Sequence, residues 1–237
     1  ADASHQLKTP LAGLKSTSEL ALKSQDPADW QAALLAVHDG ADRTSRLASQ
    51  LLSLARLRHI GEEGKVAPLD IVAVLRECVL DWAGREVARD HDLGLAELPS
   101  GPLWVRADGW AVRELLGNLI DNALRYTQAG SEITLGLCRH RDTVSLYVED
   151  DGPGVPFEAR ERLLQPFERG GRQDTDGSGL GLAIVDSIAH QLGGRLSLSE
   201  RCPHGLIVTL HLPLIDPQSD HDASRPGEPG ATREMPS

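Results

Sequence analysis

Cysteine is scarce in this 237-residue chain: Cys78, Cys138 and Cys202 are odd in number and far apart. They lack the paired spacing of a zinc site and cannot build a disulfide frame. They fit a reducing compartment and small buried positions instead. Basic charge is also short, with 24 Lys plus Arg against 35 Asp plus Glu and a formal net charge of -11. That balance argues against a nucleic-acid-binding surface and suits a soluble domain. No apolar run approaches the roughly 20 residues that a membrane-spanning helix requires, and no signal peptide opens the chain. Ala1 already falls inside a helical pattern, which reads as a fragment lacking an N-terminal part. The length allows a real core and one or two domains.

What is present begins with Ala3-Ser4-His5-Gln6-Leu7-Lys8-Thr9-Pro10-Leu11. At ~100° per residue, Leu7, Leu11, Leu14 and Leu22 share one side of a helix and His5 falls opposite. Thr9 lies one turn after His5. Pro10 removes a backbone donor and should bend the helix. The pattern runs to about Ser24. Asp26 and Pro27 then read as the cap and first residue of a second helix reaching about Arg58. The two helices carry more apolar face than one partner can cover. The expectation is a hairpin over 1–60 that pairs with a second copy as a four-helix bundle; its rival is a hairpin packed on its own C-terminal domain. Residues 61–67 read as a linker.

From Pro68 the texture is mixed α and β, through 213. A helix is expected over 70–89 after a short strand, with strand-like pieces at 93–95 and 103–106. Asp108 is placed to cap a helix over 110–126. Alternation at 133–138 and 144–148 predicts a strand hairpin. A helix over 180–192 and strands at 195–199 and 206–212 follow. Residues 214–237 read as a disordered tail, because Pro, Ser, Gly and acidic residues there leave nothing to bury.

Three stretches carry chemistry. Glu114, Asn118 and Asn122 recur every fourth residue, so one helix face offers oxygen ligands to a hard cation such as Mg²⁺; alone, this is equally a polar helix face. Glu149-Asp150-Asp151-Gly152-Pro153-Gly154 puts a carboxylate at a strand end before a tight turn, where it could accept from an exocyclic amine. Alone, that is only a turn. Gly177-Ser178-Gly179-Leu180-Gly181 runs into a helix, where backbone amides can approach phosphate. A dinucleotide fingerprint would need a preceding strand, and the polar stretch 170–176 stands there instead. That stretch reads as a mobile lid, with Arg169 and Arg172 placed to meet phosphates.

Taken in this order, the stretches resemble the catalytic core of a bacterial sensor histidine kinase, over about residues 1–213. SHQLKTPL is similar to the family's H-box, NLIDNALRYT to the N-box, EDDGPGV and GSGLGLAIV to the two glycine boxes, and LLQPFERG to the F-box. The wording most resembles kinases paired with OmpR-type response regulators. The resemblance implies a dimeric helical bundle followed by an α/β sandwich of the gyrase and Hsp90 type that binds ATP and Mg²⁺. His5 would accept the γ-phosphate and pass it to an aspartate on a receiver domain. Asn122 would be the Mg²⁺ ligand with Asn118 beside it. Arg125 would reach phosphate, Tyr126 would pack on adenine, and Asp150 would take the adenine amino group. Gly152 and Gly154 would shape that pocket, with Phe167 anchoring the lid and Arg169 beside it. Gly177, Gly179, Leu180 and Gly181 would admit the triphosphate. The family usually has a carboxylate after the histidine, whereas Gln6 stands here and can orient the ring without serving as base. Gln6 and Thr9 are also placed to hold a water that dephosphorylates the partner regulator. A membrane would be met only through the missing N-terminal region, making this the cytoplasmic portion of an inner-membrane protein. Two rivals remain: a serine kinase or ATPase of the same superfamily, and a non-catalytic dimeric scaffold.

Overall fold

The computed structural model describes residues 2–57, 66–168 and 178–216, and for residues 2–6 the backbone alone. The expected linker segment 61–65, the lid 170–176 and the tail from 217 onward lie outside the described residues.

Helices α1 (Asp2–Ala21) and α2 (Pro27–Leu57) form the hairpin. Asp26 accepts from the Ala28 amide at 2.9 Å, and Pro27 fills the first helical position, where a missing amide proton costs nothing. The end of α1 is closed from outside: the Trp30 indole donates to the carbonyls of Ala21 and Ser24, each at 3.0 Å. Gly40 lets the helices touch, because a Cβ there would lie 2.6 Å from a Leu14 methyl. α1 continues unbroken through Pro10. Leu11, Leu20, Leu22, Leu34, Leu35 and Leu52 remain exposed. Leu47 and Leu57, by contrast, are buried in the same apolar cluster as the α/β part. The far half of α2 therefore packs on its own C-terminal domain, and the rest of the hairpin keeps an uncovered apolar surface.

β1 (Ala67–Asp70) and β3 (Trp104–Ala107) pair antiparallel as a two-stranded sheet. The main sheet contains β2 (Asp92–Leu95), β4 (Glu132–Arg139), β5 (Thr143–Asp150), β6 (Arg195–Glu200) and β7 (Leu206–Pro213). Its order is β2-β4-β5-β7-β6, antiparallel except where β2 joins β4. Rows such as Leu135–Val148–Val208 and Leu137–Leu146–Leu210 cross three strands on one face and are buried. The period of two that puts every second side chain on one face explains the alternation. Helices α3 (Ile71–Ala83), α4 (Gly109–Tyr126) and α6 (Gly181–Gln191) cover that face. The other face is polar: Ser145, His211 and Ser197 form a hydrogen-bonded string across β5, β7 and β6, extended by His140 just past the end of β4.

Three sequence expectations are corrected. The helix expected over 70–89 ends at Ala83, because Gly84 caps it and Arg85 turns extended to lie over the Trp82 ring; a single 3-10 turn, Glu86–Ala88, follows. Asp70 stands outside that helix as its cap, accepting from the Val72 amide at 3.0 Å. Among the cysteines only Cys78 is buried, while Cys138 and Cys202 are exposed, all three as free thiols. A short helix, α5 (Phe157–Leu163), also appears where none was expected; it buries no residue and so leaves no apolar period to read.

Asp108 does cap α4, accepting from the Trp110 amide at 2.7 Å while only 6% exposed. Asp108→Ala should cost about 1 kcal/mol, read in a melting curve as a Tm lower by about 2–4 °C.

Candidate functional site

The apolar face of α4, with Val112, Leu115, Leu119 and Ala123, is buried, so Glu114, Asn118 and Asn122 fall on a different face. Asn118 is 8% exposed, and its amide donates to the Glu114 carbonyl at 2.9 Å and to the Glu114 carboxylate at 3.3 Å. Helix α6 starts hard against this stripe. A Cβ on Gly181 would lie 3.1 Å from both terminal atoms of the Asn122 carboxamide and 3.5 Å from Asn118 Oδ1. Glycine lets the N-terminus of α6, with its unsatisfied amides and positive dipole end, come this close without displacing the Asn122 side chain.

Asp150 ends β5 and is buried, accepting from the Gly152 amide at 2.9 Å. Burial pushes its carboxyl above the usual aspartate range, opposed by the Gly152 and Leu206 amides. Gly152 fits beneath it because a Cβ would meet that carboxylate at 2.8 Å and the Tyr126 carbonyl at 3.1 Å. Two backbone positions across the site are left-handed: Phe167 at φ 69° and Gly179 at φ 70°. The Phe167 amide donates to the Gly179 carbonyl at 2.9 Å, and the glycine lies too close to the Phe167 backbone for a side chain. A left-handed conformation at a bulky residue is strained by about 1–3 kcal/mol, and surrounding contacts must hold it.

These elements enclose a cavity of about 660 Å³. Of the residues singled out in the sequence, Thr9, Asn122, Arg125, Tyr126, Asp150, Gly154, Phe167, Gly179 and Gly181 line it. Asn118, Gly152 and Leu180 do not: Asn118 is turned to its helix neighbours, Gly152 sits under Asp150, and the Leu180 side chain is fully buried in the core. Arg169 and Gly177, and the side chains of His5 and Gln6, lie outside the described residues. Apolar wall comes from Leu119, Val148, Leu206 and Val208. Arg125 lies at the wall with its Nε donating to Asp121 at 2.9 Å.

Sequence reasoning missed one wall. Arg43, Arg46, Leu47 and Gln50 of α2 line the same cavity, together with Thr9 and Pro10 of α1. Beyond the cavity α2 runs along α4 in opposite sense. Gln50 donates to Asn118 at 3.4 Å, Ser53 donates to Glu114 at 2.7 Å, and the Arg56 guanidinium lies 4.0 Å from the Trp110 ring centre. Ser178 in turn donates to the Gln50 side-chain oxygen at 2.5 Å. No sequence signal marked this wall, since Gln50 and Ser53 read as ordinary polar positions of α2 and their partners come from distant elements.

Asp150 provides a pH test. Because its pKa is raised in the folded state, the fold binds the proton more tightly than the unfolded chain does. Stability then falls as pH rises from the usual aspartate value through the raised one, and the penalty is complete above it. Asn keeps an acceptor for the Gly152 amide without the charge. The Tm of Asp150→Asn minus that of the parent should therefore increase from pH 4 to pH 7; a flat difference would show that burial is not shifting this group.

Comparison with known proteins gives two family matches in succession. Residues 1–60 match "His Kinase A (phospho-acceptor) domain", and residues 107–216 match "Histidine kinase-, DNA gyrase B-, and HSP90-like ATPase". Sensor protein kinase PmrB of Pseudomonas aeruginosa is 32% identical over 231 residues, covering 95% of this chain and 46% of that protein. The chain thus spans less than half the length of this relative. Among solved structures, full-length ShkA in complex with AMPPNP is 27% identical with a TM-score of 0.62, covering 89% of this chain and 44% of that one. Histidine kinase ThkA in complex with response regulator TrrA shares the fold at 20% identity and a TM-score of 0.71, covering 92% of this chain and 61% of that one. With a phospho-acceptor domain leading into a kinase-type ATPase domain, and with relatives of this kind along nearly its whole length, the chain belongs to the sensor histidine kinases.

Proposed function

We propose that the chain is a catalytic core that phosphorylates its own His5 from ATP and passes the phosphoryl group to an aspartate of a response regulator. The observation that carries this is the cavity itself: Thr9, one helical turn after His5, shares its wall with Asn122 and Asp150. That the solved relative ShkA holds AMPPNP supports an adenine nucleotide here.

The residues present fit such a ligand. The Asp150 carboxylate accepts the adenine amino group, with Gly152 and Gly154 shaping its surroundings. Leu119, Leu206 and Val208 provide apolar walls for the ring, and Tyr126 packs on it. Gly179 and Gly181 let the phosphates approach the start of α6, and Arg125 reaches them from α4. Phe167, with Arg169 beyond it, fixes the end of the lid; Gly177 and Leu180 belong to the same glycine box. Among the described residues no group of three His, Cys, Asp or Glu could hold a metal. A cation here would rest on the Asn122 oxygen, beside Asn118, with water and phosphate as its other ligands. That donor set suits Mg²⁺, which keeps several waters. When bound, Mg²⁺ supplies positive charge to the phosphate oxygens.

His5 forms a P–N bond through one ring nitrogen as the γ-phosphorus to bridging-oxygen bond breaks and ADP leaves. The proton on the other nitrogen is held by the Gln6 carbonyl, which orients the ring but cannot accept the proton outright. Gln6 and Thr9 also hold the water that dephosphorylates the regulator, which we take to be OmpR-type. The exposed leucines of the hairpin support pairing with a second copy as a four-helix bundle. Among the described residues no helix is long and apolar enough to cross a membrane. We assign the chain to the cytoplasmic side of a longer inner-membrane protein.

One labelling experiment tests the set. With γ-labelled ATP the protein should acquire label that survives alkali and is lost in acid, and His5→Gln should acquire none. Acid-stable label would mean a serine kinase, and no label with no nucleotide-dependent rise in Tm would mean a scaffold. Gln6→Glu should raise the rate at least about tenfold by adding a proton acceptor. Thr9→Ala should slow loss of phosphate from a phosphorylated regulator.

A further inference from the structure

Three contacts fix α2 along α4 in register. Position 50 meets 118, position 53 meets 114, and position 56 meets 110. The steps are three residues on α2 and four on α4, the two spacings that keep side chains on one helix face. Two of the three α4 positions belong to the oxygen-bearing stripe. Where the series would continue, toward 122, the cavity takes over: Arg46 and Leu47 of α2 and Asn122 of α4 all line it.

Gln50 stands at that edge and is the only member that joins three elements. Its amide donates to Asn118 of α4 and its oxygen accepts from Ser178, whose hydroxyl also accepts from the Leu180 amide just before α6. One side chain of the hairpin thus touches both the N-box helix and the segment that leads into α6. Neither bond is made within α2, so the geometry of Gln50 serves the contact between the two domains.

We propose that Gln50 is a positioning residue for autophosphorylation: it holds the hairpin, and with it the helix bearing His5, in register with the nucleotide cavity. This rests on the kinase reading above. Gln50 borders the cavity, but its side-chain amide and oxygen are engaged by Asn118 and Ser178, and the reading above gives it no phosphate or adenine contact. Its loss should therefore lower the rate of phosphoryl transfer within the nucleotide complex and spare the formation of that complex. Ser53 acts in the same sense one turn away, through Glu114.

The test uses the 237-residue chain with Gln50→Leu, which removes both bonds at similar size, and Gln50→Glu, which keeps the acceptor for Ser178 and removes the donor to Asn118. Ser53→Ala serves as a milder variant should either fold poorly. Rate at saturating ATP and nucleotide affinity are measured separately. Gln50→Leu should lose about tenfold in rate, the effect of two neutral hydrogen bonds, with nucleotide affinity within about twofold of the parent. Gln50→Glu and Ser53→Ala should fall between. Unchanged or faster labelling at saturating ATP would overturn the proposal, since the contact would then be incidental or a brake. A loss of affinity matching the loss of rate would overturn it too, by placing Gln50 inside the nucleotide site. A parent protein that acquires no phosphohistidine would count against the kinase reading itself, so the two failures are distinguishable.

Discussion

The site depends on how closely α6 can approach α4. At Gly181 a Cβ would fit against the Asn122 carboxamide only tightly, at 3.1 Å. That approach aims the first amides of α6 at the oxygen face of α4 and closes one end of the cavity. The buried faces of the two helices, with Leu115, Leu119, Ile184 and Ile188, set their distance. The glycine decides what lies between them. Tight packing and a polar cleft are therefore produced by the same helix pair, apolar on one side and close-approaching on the other.

Much of this was legible because the residues involved are chosen by local constraints that leave a mark. A Cβ would collide at Gly152 and Gly179 and would press on the Asn122 side chain at Gly181, so all three positions favour glycine. The stripe at 114, 118 and 122 shows as spacing, and the caps at Asp26 and Asp108 show as residue type at a helix start. Strand alternation gave β4 and β5 because one face is buried and the other is wet. Residue type did not show whether a role is played by side chain or backbone: Leu180 sits in the glycine box, yet its side chain belongs to the core.

What stayed hidden has a physical reason in each case. α5 buries nothing and so has no period. The long reading of α3 failed at Gly84, where a weak helix former met a good alternative, the stacking of Arg85 on Trp82. The wall contributed by α2 was invisible because Gln50 and Ser53 find their partners 68 and 61 residues away. Polar residues on a long amphipathic helix look solvated until the fold supplies the other side. The exposed thiols of Cys138 and Cys202 show the converse: scarcity in composition does not fix depth.

The hydrogen bond between Phe167 and Gly179 has one more implication. It ties the chain together at Phe167 and Gly179, so the entropy of bringing these two points together is borne by that contact whatever the length between them. Doubling the loop's length would add only about 0.6 kcal/mol to that cost. The connection can accordingly be lengthened, shortened or rewritten while the walls on either side keep their places.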